Sequence, residues 1–271
     1  MTNQYYFMHI PKTAGSSFME VLRAKFSESE FCPYSLMHVL AEIVREGRIS
    51  ELENYKMLHG HLGYTILQYL KNRPKIITML RDPVRRTIST YKHIRLGHPM
   101  PQMRANETHW AHEKFDSVNA SLEEFISYEP TRRLITNFQV RNIALEFDLS
   151  KKYIDNNGDE IEPRQGKLFS NIDDEIDDEE KLKLAKDRLS EFEFVGVVER
   201  FDESIKLLYE TFGWGDAPNM PQVNTTPDNL LSVGDVSDAV IDEIKSLTKL
   251  DAELYNFATQ IFDKRLKNVG L

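Results

Sequence analysis

The sequence predicts an α/β fold: one domain spanning residues 1–271, with a mainly parallel central sheet flanked by helices. Three observations lead there. Short apolar runs of the buried-strand kind, YYFMHI (5–10), KIITML (75–80) and EFVGVV (193–198), alternate with segments of helical periodicity. Alternation of that type implies a sheet covered by helices on both faces. No solenoid-period repeat and no low-complexity linker divides the chain. A 41% apolar and 10% aromatic composition is enough to fill such a core.

Each element has its own signal. YYFMHI leads through PKTAGSS into a helix whose apolar positions are Phe18, Val21, Leu22 and Phe26. A second helix is predicted over 35–46 and a strand over 55–59. KIITML ends at Arg81 and Asp82. Pro83 suits a first helical position with Asp82 as N-cap, and Val84, Ile88 and Tyr91 form that helix's stripe. Helical patterns follow at 121–128 and 133–146. YIDNNGDEIE (153–162) reads as a hairpin turning at Asn157-Gly158, and DDEIDDEE (173–180) as a solvated charge run before the helix KLKLAKDRLSEF. RFDESIKLLYETFGW is a helix stopped at Gly213, and the last 35 residues read as two amphipathic helices.

The net charge of −9 argues against a polyanion partner until it is resolved along the chain. Residues 148–203 hold 9 basic and 18 acidic side chains, whereas 1–147 hold 19 and 15. The first half can therefore host a small anion, while a broad basic groove for nucleic acid is not indicated. The lone Cys32 excludes an intrachain disulfide and a CxxC pair, and reads as an inert thiol in a reducing, cytoplasmic setting. The start MTNQYYFMHIPK lacks a signal-like region, and no apolar run approaches the roughly 18 residues of a membrane span, so no membrane partner is expected.

HIPKTAGSS (9–17) joins a strand to a helix, the context in which backbone N–H groups and the helix dipole hold a phosphate or sulfate group. Gly15 permits close approach, Ser16 and Ser17 add hydroxyl donors, and Lys12 adds charge. The P-loop pattern GxxxxGK[ST] is absent, because the lysine precedes the glycine by three positions. An ordinary turn with a solvated lysine is the alternative, and His9 reads as a packed strand-end residue.

RDPVRRTISTY (81–91) places Arg81 at the carboxyl end of a strand, where open α/β sheets bind ligands. Ser89 points away from the apolar stripe and can share a ligand face with Arg85 or Arg86. From Arg81 to Arg104 there are six basic residues and one acid. For Arg85, Arg86 and Arg95 a solvated helix face is an equal alternative. In HGH, His59 and His61 alternate about Gly60 and share a face if the backbone stays extended; a metal pair is a further alternative, without an evident third ligand.

Together, HIPKTAGSS and LRDPVRRTISTY closely resemble the paired signatures of sulfotransferases that use 3′-phosphoadenosine 5′-phosphosulfate (PAPS), in the branch with heparan 2-O-sulfotransferase and its bacterial homologues. LHGHLGY (58–64), TNFQVR (136–141), FVGVVERFDESIKLLYETFGW (194–214) and LDAELYNFA (250–258) extend the likeness over nearly the whole chain, with 148–180 as a variable insertion. The resemblance implies a P-loop-like nucleotide-binding architecture with PAPS as sulfuryl donor, its bisphosphate PAP as product, and no metal. Lys12, Thr13, Ala14, Gly15, Ser16 and Ser17 would hold the 5′-phosphosulfate, and Arg81 and Ser89 the 3′-phosphate. His61 would be the general base, with His59 orienting the site and Lys12 stabilising the leaving oxygen. NTTPDN (224–229) falls where relatives cover the nucleotide but lacks their basic residue. Asn137, Gln139 and Arg141 are candidate acceptor contacts, beside Arg132 and Arg133, with structural hydrogen bonds as their alternative. The implied partner is a hydroxyl acceptor, a sugar or glycan first and a carrier-bound β-hydroxyacyl chain second. A nucleotide kinase or NTPase with a degenerate P-loop and a non-catalytic nucleotide-binding module are the readings from other classes.

Overall fold

The central sheet begins with β1 (Tyr5–Met8), buried along its whole length. The computed structural model describes residues 4–96, 120–154, 160–161, 176–218 and 231–271. From β1 the chain passes through residues 9–14 into α1 (Gly15–Lys25), then α2 (Met37–Arg45) and β2 (Met57–Gly60). β3 (Lys75–Leu80) and α3 (Pro83–Arg95) repeat the strand-to-helix step. α4 (Leu122–Ser127), α5 (Glu129–Arg132) and α6 (Phe138–Ala144) lead to a hairpin, β4 (Tyr153–Ile154) with β5 (Glu160–Ile161). α7 (Asp178–Glu191), β6 (Phe194–Val197), α8 (Phe201–Phe212), α9 (Asp238–Leu247) and α10 (Lys249–Val269) complete the order.

The four-stranded sheet runs β2-β1-β3-β6 and all its described pairings are parallel, as the alternating sequence predicts. Side-chain alternation splits β1 between two cores. Tyr6 and Met8 join Leu58, Ile76, Leu80 and Val195 under α2, α6 and α7. Tyr5 and Phe7 join Met57, Ile77, Met79 and Phe194 under α1 and α8. α10 serves both, with Leu254 and Ala258 in the first and Phe262 and Leu266 in the second. Each fully buried aromatic of this kind contributes about 1.5–3 kcal/mol. A third cluster unites Ile88 and Tyr91 of α3 with Phe125 of α4 and Ile244 of α9.

Local start and stop signals act where the sequence places them. Asp82 Oδ1 accepts the Arg85 N–H at 2.9 Å with Pro83 at the first turn, and Gly213 ends α8 at φ 62°. Two expectations change. The helix predicted over 133–146 is shortened to α6, because Asn137 takes a left-handed φ of 42° that breaks the helical path. The helix expected to begin at KLKLAKDRLSEF starts three residues earlier, inside the acidic run. Asp177 caps α7 by accepting the Glu180 N–H at 2.8 Å, and Asp178, Glu179 and Glu180 occupy the first turn, where the helix dipole favours them, while 177–180 stay solvent-exposed as a solvated charge run should. The hairpin pairs Tyr153 with Ile161; its turn at Asn157-Gly158 lies outside the described residues, as does most of 148–180. Among the described residues no helix is long and apolar enough to cross a membrane.

Candidate functional site

All four parallel strands deliver their carboxyl ends to one edge, where Met8 stands level with Gly60 and Thr78, and Leu80 with Val197. Strand order reverses between β1 and β3, so the segments following these two strands open at the switch point where such sheets bind ligands. HIPKTAGSS and RDPVRR are those two segments.

The first loop is shaped by two non-glycine residues in the left-handed region, Lys12 (φ 69°) and Ala14 (φ 59°). Such conformations persist only where neighbours hold them. Thr13 is buried and its hydroxyl donates to the Ile10 carbonyl at 2.8 Å. Arg86 Nε donates to the Pro11 carbonyl at 3.2 Å and Arg81 Nη1 to the Lys12 carbonyl at 3.2 Å. Gly15 opens α1 beneath the His9 ring, and a Cβ there would fall 1.6 Å from His9 Nε2. The first turn of α1 carries no acid, so the positive end of its dipole is not offset by a carboxylate of its own.

Behind this loop lies a buried polar brace. Gln139, fully buried, accepts the Arg81 N–H at 3.0 Å and donates its amide to the Arg81 carbonyl at 2.9 Å. The Gln139 and Val140 N–H groups at the start of α6 donate to the Asp251 carboxylate of α10, at 3.1 and 2.9 Å. Arg86, 1% exposed, also donates to the Leu134 carbonyl and lies over the Phe138 ring at 4.3 Å. Burial, then the neighbouring Arg81 and Arg86 charges, pulls Lys12 down to about 8, and burial brings Arg86 to about 10. Arg86 Nη1 and Arg81 Nε are buried without a hydrogen-bond partner. Three cations are thus concentrated at one loop, with Asp251 acting on Arg86 and Glu199 within 3.8 Å of Arg81 as the acidic counterweights.

The histidines stand on the β2 side. Gly60 adopts φ 132°, and a Cβ would fall 2.0 Å from the Ser35 carbonyl oxygen, so only glycine lets the chain pass there. His61 then donates its backbone N–H to Ser35, and His9 donates its own to Gly60. His61 Nδ1 pairs with the His9 carbonyl at 2.8 Å. A carbonyl can only accept, so Nδ1 carries the proton and Nε2 is left bare. Burial lowers His61 to about 4 against the effect of that hydrogen bond, and burial with Arg23 lowers His59. His59 and His61 both line a cleft of about 350 Å³ whose other wall is α1.

Other predicted residues fall as follows. Ser16 is exposed at the start of α1 and lines the cleft, Ser17 is buried, Ala14 is half-buried, and Ser89 is half-buried on α3. Asn137, Gln139 and Arg141 are turned into the fold. Asn137 Oδ1 accepts the Leu250 N–H at 3.0 Å, Gln139 clamps Arg81, and Arg141 donates to the Arg133 and Thr136 carbonyls. Those are the structural hydrogen bonds the sequence left as their alternative. Arg132 and Arg133 are exposed, and 224–229 lies outside the described residues. Arg85 and Arg95 are solvated, but Arg86 is not, which corrects the solvated-face alternative for that residue. Its signal was its spacing, three after Pro83 and four before Thr90, on the inward side of α3. His9 is packed, stacked on Phe7 with ring centroids 5.3 Å apart, and also lies 4.4 Å from the His61 ring. Glu199, just beyond the end of β6, was not singled out; it accepts the Asp82 N–H and the Tyr255 hydroxyl. Among the described residues no group of three or more potential metal ligands forms.

A family model described as "Sulfotransferase family" matches residues 2–258. Heparan-sulfate 6-O-sulfotransferase 3 of Mus musculus is 29% identical over 203 residues, covering 70% of this chain and 38% of that protein. Heparan-sulfate 6-O-sulfotransferase 1-B of Danio rerio is 28% identical over 204 residues, covering 70% and 44%. Protein-tyrosine sulfotransferase of Arabidopsis thaliana is 31% identical over 91 residues, covering 32% and 16%. The chain therefore spans less than half the length of each of these relatives.

Proposed function

The chain belongs to the sulfotransferase family, and from that premise we propose that it moves the sulfuryl group of PAPS to an acceptor hydroxyl, with His61 as general base. One observation carries the reading. At the β1/β3 switch point, Lys12, Arg81 and Arg86 converge with buried guanidinium N–H groups that lack a hydrogen-bond partner, and an imidazole kept neutral by burial stands on the same sheet edge. Buried cations without full compensation suit a multiply charged anionic ligand, so the residues present fit such a donor.

In this reading Lys12, Thr13, Ala14, Gly15, Ser16 and Ser17 hold the 5′-phosphosulfate end, and Arg81 with Ser89 holds the 3′-phosphate. The donor supplies an activated sulfuryl group whose departure leaves charge on the 5′-phosphate oxygen. Lys12 and the α1 N-terminus stabilise negative charge there. His61 Nε2 takes the acceptor's hydroxyl proton while Nδ1–H stays on the His9 carbonyl, which keeps the ring oriented. His59 borders the same cleft and positions the acceptor. The acceptor is a carbohydrate hydroxyl, in keeping with the 6-O-sulfotransferase names of the relatives; a carrier-bound β-hydroxyacyl chain is the competing acceptor.

The test is calorimetry with PAP against ATP, followed by transfer of radiolabelled sulfate from PAPS to a panel of alcohols. PAP should bind in preference to ATP, and transfer should vanish in Lys12→Ala and His61→Ala. Preferential ATP binding, or transfer surviving both substitutions, would overturn the reading.

A further inference from the structure

The cleft beside His61 has a composition that selects among acceptors. Its α1 wall presents Ser16, Met19, Glu20 and Arg23, spaced three, four and seven apart and therefore on one helical face. Leu36 faces them from the segment before α2. Glu20 and Arg23 are the carboxylate and guanidinium of this lining, and they pair with each other at 3.2 Å. Arg23 is drawn further by Glu28 at 3.9 Å. The guanidinium is thus shared between two carboxylates, and among the described residues no lysine lines the cleft.

From this lining we infer that the acceptor is a compact, uncharged polyhydroxy compound of mono- or disaccharide size, and that Glu20 is a specificity-determining residue that turns away sulfated or carboxylated chains. The inference rests on the sulfotransferase reading and narrows its acceptor. A volume of about 350 Å³ lies near the lower bound for small-molecule sites and has room for one or two sugar rings. The Glu20 carboxylate is an acceptor for neighbouring sugar hydroxyls, and Met19 and Leu36 offer apolar contact for a ring face. An anionic chain would bring its charges against Glu20 while Arg23 is already paired with it, and like charges in contact are a rejecting device. A long acyl chain would need an apolar channel, and among the described residues Met19 and Leu36 are the apolar side chains of the cleft and do not make one.

The experiment compares kcat/KM for labelled sulfate transfer to uncharged mono- and disaccharides, to their sulfated or uronate counterparts, and to a β-hydroxyacyl thioester. PAP affinity is measured in parallel by calorimetry on the same protein. The uncharged sugars should be favoured over the anionic ones by at least tenfold, equivalent to about 1.4 kcal/mol. Glu20→Lys should shrink or invert that ratio by a similar factor with PAP affinity unchanged, and Glu20→Gln should fall between. Anionic or acyl acceptors preferred by the unaltered protein, or a ratio untouched in Glu20→Lys, would overturn the inference. Tight PAP binding without transfer to any uncharged sugar would overturn the acceptor class and leave the donor reading standing. Absence of PAP binding would bring down both.

Discussion

Replacing Asp251 with alanine tests whether the buried brace behind the loop that carries Lys12 is a single energetic unit. The carboxylate is fully buried and accepts two N–H groups from the start of α6, Val140 at 2.9 Å and Gln139 at 3.1 Å, while its charge acts on Arg86. Alanine leaves both donors unpaired, at about 1–3 kcal/mol each, and strips the buried Arg86 of its opposing charge, a loss typically of about 3–5 kcal/mol. These terms overlap, so a total on the order of 4 kcal/mol is expected from urea unfolding at pH 7. Asparagine should cost less. Burial raises the Asp251 pKa more than Arg86 and the two N–H groups lower it, so the folded state disfavours its charged form relative to water. A raised folded-state pKa means stability present below the unfolded value, near 3.9, and lost as pH rises through the folded value; asparagine should flatten that slope. Because Gln139 holds both backbone groups of Arg81, PAP affinity should fall along with stability. A cost under about 1 kcal/mol for alanine, or asparagine no milder than alanine, would refute the argument. Asp251→Ala combined with Arg86→Met should recover part of the loss, since removing both charges is milder than stranding one.

Three further outcomes follow from the site. Gly60→Ala should lower the thermal midpoint sharply and abolish transfer, because its Cβ would stand 2.0 Å from the Ser35 carbonyl at a φ of 132°; near-normal melting and activity would contradict the close approach. His61 is depressed to about 4 from an ordinary 6.5, so its contribution to stability is present above pH 6.5 and is lost as pH falls toward 4; His61→Gln should remove that dependence from acid unfolding curves. Lys12 loses its proton near 8 in the free protein, so kcat/KM for PAPS should decline above about pH 8, and Arg86→Met should move that limb to higher pH by removing a neighbouring positive charge. An unmoved limb would separate Arg86 from Lys12.

Much of the fold is legible locally. KIITML coincides with β3, Asp82 and Pro83 start α3 as their chemistry requires, and Gly213 ends α8. These signals survive folding because each acts within one turn or one strand. Asn137 shows where local reading stops: its neighbours have helical periodicity, but its side chain is held by the N–H groups of Leu250 and Asp251, more than a hundred positions away, and its backbone turns left-handed. Arg86 shows the same limit. Its inward spacing was visible, yet nothing nearby in sequence announced the Pro11 and Leu134 carbonyls or the Phe138 ring that receive it.

The sequence by itself determined the alternating parallel architecture, the two strand-to-helix loops that carry Lys12 and Arg81, and the histidine pair about Gly60, because residue type and period express these directly. Only the tertiary structure decided that Asn137, Gln139 and Arg141 brace the interior, that His9 fixes the His61 proton on Nδ1, and that Glu20 shares a cleft with the histidines. Those assignments depend on which distant carbonyl or carboxylate lies within hydrogen-bond reach, and periodicity in the chain carries no record of that distance.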